Sequence, residues 1–225
     1  MSESEPSDGA VRSQNRGKSA KARAERHEAL ANLLAAEIQS GALSPGQWLK
    51  QIDIEERHGA KRMDVRRALD RLVQKRLVAH LPNRGYHVFK PDGRLAQEIR
   101  AVRVILETSA VDGIVARARE EDIAQAMRLA RHFEALLLNG TAIDLHDANI
   151  AFHEHLLGLC GNLELAALVK ELRGRISSAV AGQWQKRSRI EQSNREHLAM
   201  VGALAARDTE ALRRLVREHI QQSAE

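Results

Sequence analysis

Between residues 62 and 75, Val65, Ala68, Leu69, Leu72 and Val73 recur at helical spacing, so this stretch predicts a helix with one apolar face. Its other face is cationic. Lys61, Arg62, Arg66, Arg67, Arg71, Lys75 and Arg76 place seven basic residues in sixteen positions. Upstream, Leu30, Leu33, Leu34 and Ile38 mark an amphipathic helix over about 24–39, ended by Gly41. GALSPGQWL reads as a loop turned by Pro45-Gly46, and a second short helix covers about 52–58. Downstream, Leu77–His80 and Tyr86–Phe89 predict two short strands around a turn at Pro82-Asn83-Arg84-Gly85. Helix, turn, helix, turn, basic helix and hairpin describe a winged helix-turn-helix, with Arg84 and Gly85 at the tip of the wing.

After Pro91-Asp92-Gly93 the chain contains no further proline, and the pattern changes to successive amphipathic blocks. These fall at about 94–118, 121–139, 142–159, 162–182, 188–206 and 208–222. Asn139-Gly140, Gly161-Asn162 and Asp208-Thr209 separate some of them, and Thr141 and Asp208 have the chemistry of N-caps. The predicted fold class is mainly α: an N-terminal winged helix-turn-helix plus a C-terminal all-α antiparallel bundle of six or seven helices. Residues 1–22 hold almost no apolar side chains and predict a disordered tail. The expected division is a tail at 1–22, a winged helix-turn-helix domain at 23–90, a linker at 91–93, and a helical domain at 94–222.

Composition supports helices over sheets, because the chain is 43% hydrophobic but only 3% aromatic. The core must be built of Leu, Ile, Val and Ala. One cysteine, Cys160, excludes an internal disulfide, points to a reducing compartment, and reads as a small buried residue. No run of 18 apolar residues is present, nor an N-terminal secretory segment, so the expectation is a cytoplasmic, nucleoid-associated protein without a membrane partner. The net charge of +5 is uneven: residues 23–90 carry net +5 and residues 91–225 net −1. A basic module joined to a near-neutral one predicts a nucleic-acid binder coupled to something else.

The bundle holds its own candidate chemistry. His153, His197 and His219 lie mid-helix on three different predicted helices, and Asn149 stands one turn before His153 on the same face. Three imidazoles and one carbonyl oxygen make a donor set for a divalent metal, with positions left for water or ligand; taken singly, such a residue is more often a core or surface histidine. His155 points away from His153, while His146, seven residues before it, shares its face. Trp184 reads as core or pocket wall.

Several motifs resemble a known family. IQSGALSPGQWL, IEERHGAKRMDVRRALDRLVQKRLV and NRGYHV are similar to the DNA-binding domain of GntR-type bacterial transcription regulators. The resemblance implies that Arg62 and Arg66 meet the operator, flanked by Lys61 and Arg67, with Arg84 and Gly85 set against the minor groove or backbone. Where that family usually begins its recognition helix with Ser-Arg-Thr-Pro, this chain has Lys61-Arg62-Met63-Asp64, and Ile52 stands near the place of a common arginine. Loss of the Ser cap is worth about 1 kcal/mol in the first turn, partly offset by Asp64. Val102–Glu107, Asn149–Asn162, Glu196-His197 and His219-Ile220 resemble the effector domain of the FadR-type, or FCD, branch. That resemblance implies a divalent ion (Zn, Ni or Mn) at His153, His197 and His219, with Asn149 at the position of the usual Asp. It also sets Arg103 facing the effector pocket, where its guanidinium either holds a carboxylate or pairs with Glu107 four residues on.

The expected function is a homodimeric, ligand-responsive DNA-binding transcription regulator that binds double-stranded operator DNA and senses a small carboxylate effector at a metal-containing pocket. Two alternatives stand beside it: a constitutive DNA-binding dimer with a structural bundle, and a metal-dependent hydrolase. No general base or nucleophile motif accompanies the histidines, so an enzyme is not expected.

Overall fold

The basic helix forms where its apolar spacing places it: α3, Arg62–Gln74, buries Val65, Ala68, Leu69 and Leu72 and leaves Arg62, Arg66 and Arg67 outside. The computed structural model describes residues 25–176 and 187–221. The expected tail at 1–22 and Trp184 lie outside the described residues. The described residues separate into two compact units, 25–36 with 47–88 and 37–46 with 89–176 and 187–221.

Residues 25–39 are helical (α1), and the part of α1 in the first unit buries Leu30, Ala31 and Leu34. A two-residue strand, β1 (Trp48–Leu49), leads into α2 (Gln51–His58), closed by Gly59 in the left-handed region. Gly59 is followed by α3, then β2 (Val78–Leu81) and β3 (Gly85–Val88). The three strands form one antiparallel sheet in the order β1-β3-β2, with Trp48 opposite His87 and Ala79 opposite His87 on the other side. The expected loop over GALSPGQWL therefore contains a strand. Its two residues carry no local signal; they become a strand only by pairing with β3. The hairpin strands sit one residue from their expected bounds, so the turn is confined to Pro82–Arg84 and Gly85 opens β3 with φ of 97°. Lys61 caps α3 without a side-chain hydrogen bond, and the buried Asp64 faces Arg26 at 3.9 Å.

The second unit is an antiparallel helical bundle. Its described helices are α4 (Gly93–Arg117), α5 (Glu120–Asn139), α6 (Ala142–Gly158), α7 (Leu163–Arg175), α8 (Arg187–Ala205) and α9 (Thr209–Gln221). Asp92, Thr141, Asn162 and Asp208 cap α4, α6, α7 and α9 by accepting a backbone N–H three residues on. Of the block expected at 162–182, α7 covers Leu163–Arg175 and Ile176 leaves helical geometry at φ −136°; residues 177–182 lie outside the described residues. The core gathers Val111, Ile114, Ala126, Phe152, Leu156, Val169, Met200, Val201 and Leu204, with Cys160 buried among them. At Gly113 a Cβ would overlap the Cys160 carbonyl oxygen, so α4 comes this close to the end of α6 only because a glycine stands there. Among the described residues no helix is long and apolar enough to cross a membrane.

Candidate functional site

Helix α6 presents one broad buried face: Leu145, His146, Ala148, Asn149, Phe152, His153, Leu156 and Leu157. That spacing carries Asn149 and His153 inward together, whereas His155 turns away and places its Nε2 2.8 Å from the Asp122 carbonyl oxygen. His197 enters from α8 and His219 from α9. His153 Nε2 lies 3.3 Å from His197 Nε2 and 3.1 Å from His219 Nε2. Three imidazole nitrogens that share one ion at about 2.0–2.1 Å stand roughly 3.0–3.4 Å apart, so the separations fit a divalent metal.

The donor set fits as well. Nδ1 of His219 is 2.6 Å from a Glu196 carboxylate oxygen, so this nitrogen donates its proton there and Nε2 of the neutral ring keeps its lone pair. Nε2 of His153 has two nitrogen neighbours but only one proton or one lone pair to offer them. The cluster therefore cannot satisfy itself by hydrogen bonds alone, whereas a cation can take every lone pair. Burial pushes the pKa values of His153 and His197 well below the ordinary value, helped by neighbouring imidazoles and by Arg173. Burial lowers His219 too, against the opposing pull of Glu196. All three are thus neutral imidazoles at neutral pH. Phe152 stacks on His197 at 4.3 Å and Phe133 meets its edge at 5.1 Å, walling a ring that is fully buried.

His153, His219, Asn149 and His146 line a cavity of about 300 Å³, with His197 behind them. Arg100, Arg103, Lys170, Arg173 and Arg189 line the same cavity. Arg103 Nε donates to Glu107 at 2.8 Å and Arg173 donates to the other oxygen of that carboxylate at 2.6 Å. The ion pair expected of Arg103 exists, but it is buried and shared, and it leaves Arg103 on the cavity wall. Burial raises the Glu107 carboxyl, and the two guanidiniums outweigh that and hold it down to about 2. One carboxylate for two arginines leaves the wall positive. Arg100 adds to it; burial and then the charge of Arg103 lower its pKa. Lys170 and Arg189 are matched by Glu154 at 2.7 Å and Glu196 at 3.3 Å.

The sequence marks neither Arg173 nor Arg189, and it shows Glu196 only as part of the Glu196-His197 motif, with no role of its own. Glu196 adjoins His197, and a carboxylate beside a candidate ligand is the one signal that pointed to it. Nothing local marks Arg173.

In the first unit, Lys61, Arg62, Arg66 and Arg67 are all exposed on or beside the start of α3, and Arg84 is exposed at the wing tip. Arg62, Arg84 and Gly85 line one concave surface with Ile52. Tyr86 of β3 donates its hydroxyl to Asp70 of α3 at 2.6 Å, which pins the wing to the helix; burial and then Asp70 raise the Tyr86 pKa against the nearby Arg66. Arg71 is engaged with Glu28 of α1 at 2.7 Å.

Residues 98–222 match the FCD domain, and residues 26–88 match the bacterial regulatory proteins of the gntR family. The chain belongs to the GntR family, in its FCD branch. It is a DNA-binding transcription regulator with an FCD effector-binding domain; the matching families and relatives are regulators, not enzymes. This GntR-family chain is 27% identical to the Nta operon transcriptional regulator of Aminobacter aminovorans over 79% of its own length and 82% of the relative's. It is 26% identical to the transcriptional repressor GlaR of Escherichia coli over 83% and 89%. Among solved structures, E. coli McbR/YncC aligns with a TM-score of 0.77 at 23% identity over 87% of this chain and 93% of that one, a likeness of fold. A regulator from Rhodococcus aligns at 0.73 and 25% identity over 88% and 94%.

Proposed function

We propose that this GntR regulator is a homodimer that reads operator DNA with residues 23–90 and senses a small carboxylate with residues 94–222. Lys61, Arg62, Arg66 and Arg67 supply the major-groove and phosphate contacts, and Arg84 and Gly85 the contact of the wing. His153, His197 and His219 hold a divalent ion (Zn, Ni or Mn), with Asn149 offering its carbonyl oxygen. When bound, such an ion adds charge and open coordination positions for an anionic ligand. Asn149 is neutral where a carboxylate would cancel one charge, so the centre keeps its full attraction for an anion. Arg103, oriented by Glu107, takes the effector carboxylate with its remaining N–H groups. Glu196 fixes the tautomer of His219 and keeps Nε2 turned inward. Effector binding and operator binding are then coupled, and the coupling is reciprocal. A cytoplasmic location follows from that role.

The observation that carries this reading is the convergence of three Nε2 atoms beside a cavity whose wall has more guanidinium than carboxylate. Elemental mass spectrometry of the dialysed protein, beside a His153→Ala/His197→Ala variant of equal helicity, tests it. About one divalent ion per chain is expected in the parent and none in the variant. A parent that carries none and takes up none on titration overturns the metal centre. Operator affinity that ignores a panel of small carboxylates, in parent and Arg103→Ala alike, overturns the sensing half.

A further inference from the structure

Two large apolar side chains stand in the middle of the cationic surface of the first unit. Ile52, in the first turn of α2, is 61% exposed, and Met63, in the first turn of α3, is 58% exposed. Neither is needed by the core: Ile54 is the residue α2 buries, and Val65, Ala68, Leu69 and Leu72 are the apolar residues α3 buries. Arg66 and Arg67 follow Met63 by three and four positions, so Met63 lies on the outward face among arginines. Ile52 lines the concave surface that also carries Arg62 and Arg84. Neither side chain can engage a phosphate. Each sits where cations bring the duplex close, and there an apolar group has one apolar partner to meet in the major groove, the 5-methyl group of thymine.

We propose that Ile52 and Met63 are sequence-reading residues of this regulator, each seated on a thymine 5-methyl group while the surrounding arginines hold the phosphates and guanines. The proposal rests on the DNA contacts assigned above to the start of α3. It makes the operator preference partly apolar: sites are ranked by where their thymines fall, at positions the charged residues do not distinguish. Phosphate contacts hold the protein on DNA without sequence information, so the exposed apolar pair adds discrimination rather than general affinity.

The test uses the full-length protein and starts from a random pool of duplexes. Those that the protein selects define the operator site. Each thymine is then replaced singly by deoxyuridine, which removes the methyl group and keeps every hydrogen-bonding atom. The readout is the ratio of affinities for the thymine and uracil duplexes, measured within each variant, so a general weakening of any variant cancels. Burial of one methyl group predicts a ratio of about fourfold at each contacted thymine. Met63→Ala should bring the ratio to unity at one such position and Ile52→Ala at another, while Met63→Leu keeps it. Uracil substitutions that are neutral throughout in the parent overturn the proposal, as do penalties that persist in both alanine variants. If Ile52→Ala erases no penalty at any position the proposal falls for Ile52, and if Met63→Ala erases none it falls for Met63. If selection enriches no sequence, or the enriched site binds Arg66→Ala as tightly as the parent, the DNA-reading assignment itself falls, and the proposal with it.

Discussion

At the scale of single residues, Glu107 carries the most consequence. Its carboxylate is buried and accepts from both Arg103 and Arg173, and these hold its pKa to about 2. A carboxyl whose folded pKa lies below its unfolded value stabilises the fold above the unfolded value, and that stability is lost as pH falls toward the folded one. Unfolding by urea followed from pH 7 downward should therefore show stability falling between about 4.5 and about 2. Glu107→Gln should flatten that slope and destabilise the protein by roughly 3 kcal/mol, because it leaves two half-buried guanidiniums facing each other without the buried carboxylate between them. A variant as stable as the parent at pH 7 would show that the arginines find other partners. Glu196 works differently. Its carboxylate is held to about 2, with burial opposing and the hydrogen bond from His219 and the Arg189 guanidinium prevailing. Glu196→Gln should weaken metal uptake by about 10–100-fold without abolishing it, read by competition with a chelating dye.

At the scale of elements, α3 is where sequence pattern and function coincide. Its apolar period decides which side packs, so the arginines have no choice but to face outward. Arg66→Ala should lower operator affinity by roughly 1–3 kcal/mol if it meets a base, or flatten the salt dependence by about one counterion if it meets a phosphate. Fluorescence anisotropy at several salt concentrations separates the two, and no change in either would remove Arg66 from the interface. The wing shows the limit of local reading. The turn residues announced a hairpin, but β1 exists only through its pairing with β3, and the Tyr86–Asp70 bond that ties the wing to α3 spans 16 residues. Short strands are made by their partners, and a partner leaves no mark in the strand's own sequence.

At the scale of the whole molecule, His153, His197 and His219 draw together three helices that the chain visits far apart. Metal bound only by the folded state should stabilise it by about 2.7 kcal/mol when free metal exceeds its dissociation constant a hundredfold, and so raise the unfolding midpoint. For a chain of this length that is on the order of 5–10 °C. Exhaustive chelation should remove the increment and readdition restore it, seen by calorimetry; a midpoint indifferent to chelation would mean that the histidines pack without an ion.

Much of this was present in the linear sequence, and for a definite reason. Helical periodicity is a local property, so the bundle blocks, the caps at Thr141 and Asp208, the outward arginines of α3 and the inward pairing of Asn149 with His153 could all be read from residues three or four apart. Convergence is not local. His153 meets His197 and His219 across 44 and 66 residues, and Glu107 finds Arg173 across 66. The Arg103–Glu107 pair was legible as an i, i+4 pair, but only packing buried it and gave it a second arginine, which changed a weak surface contact into the charged wall of a cavity. The sequence by itself determined which faces turn inward. Tertiary structure alone decided which of those faces meet, because that depends on how whole helices pack, and packing is settled by shape and volume summed over many side chains rather than by the spacing within any one of them.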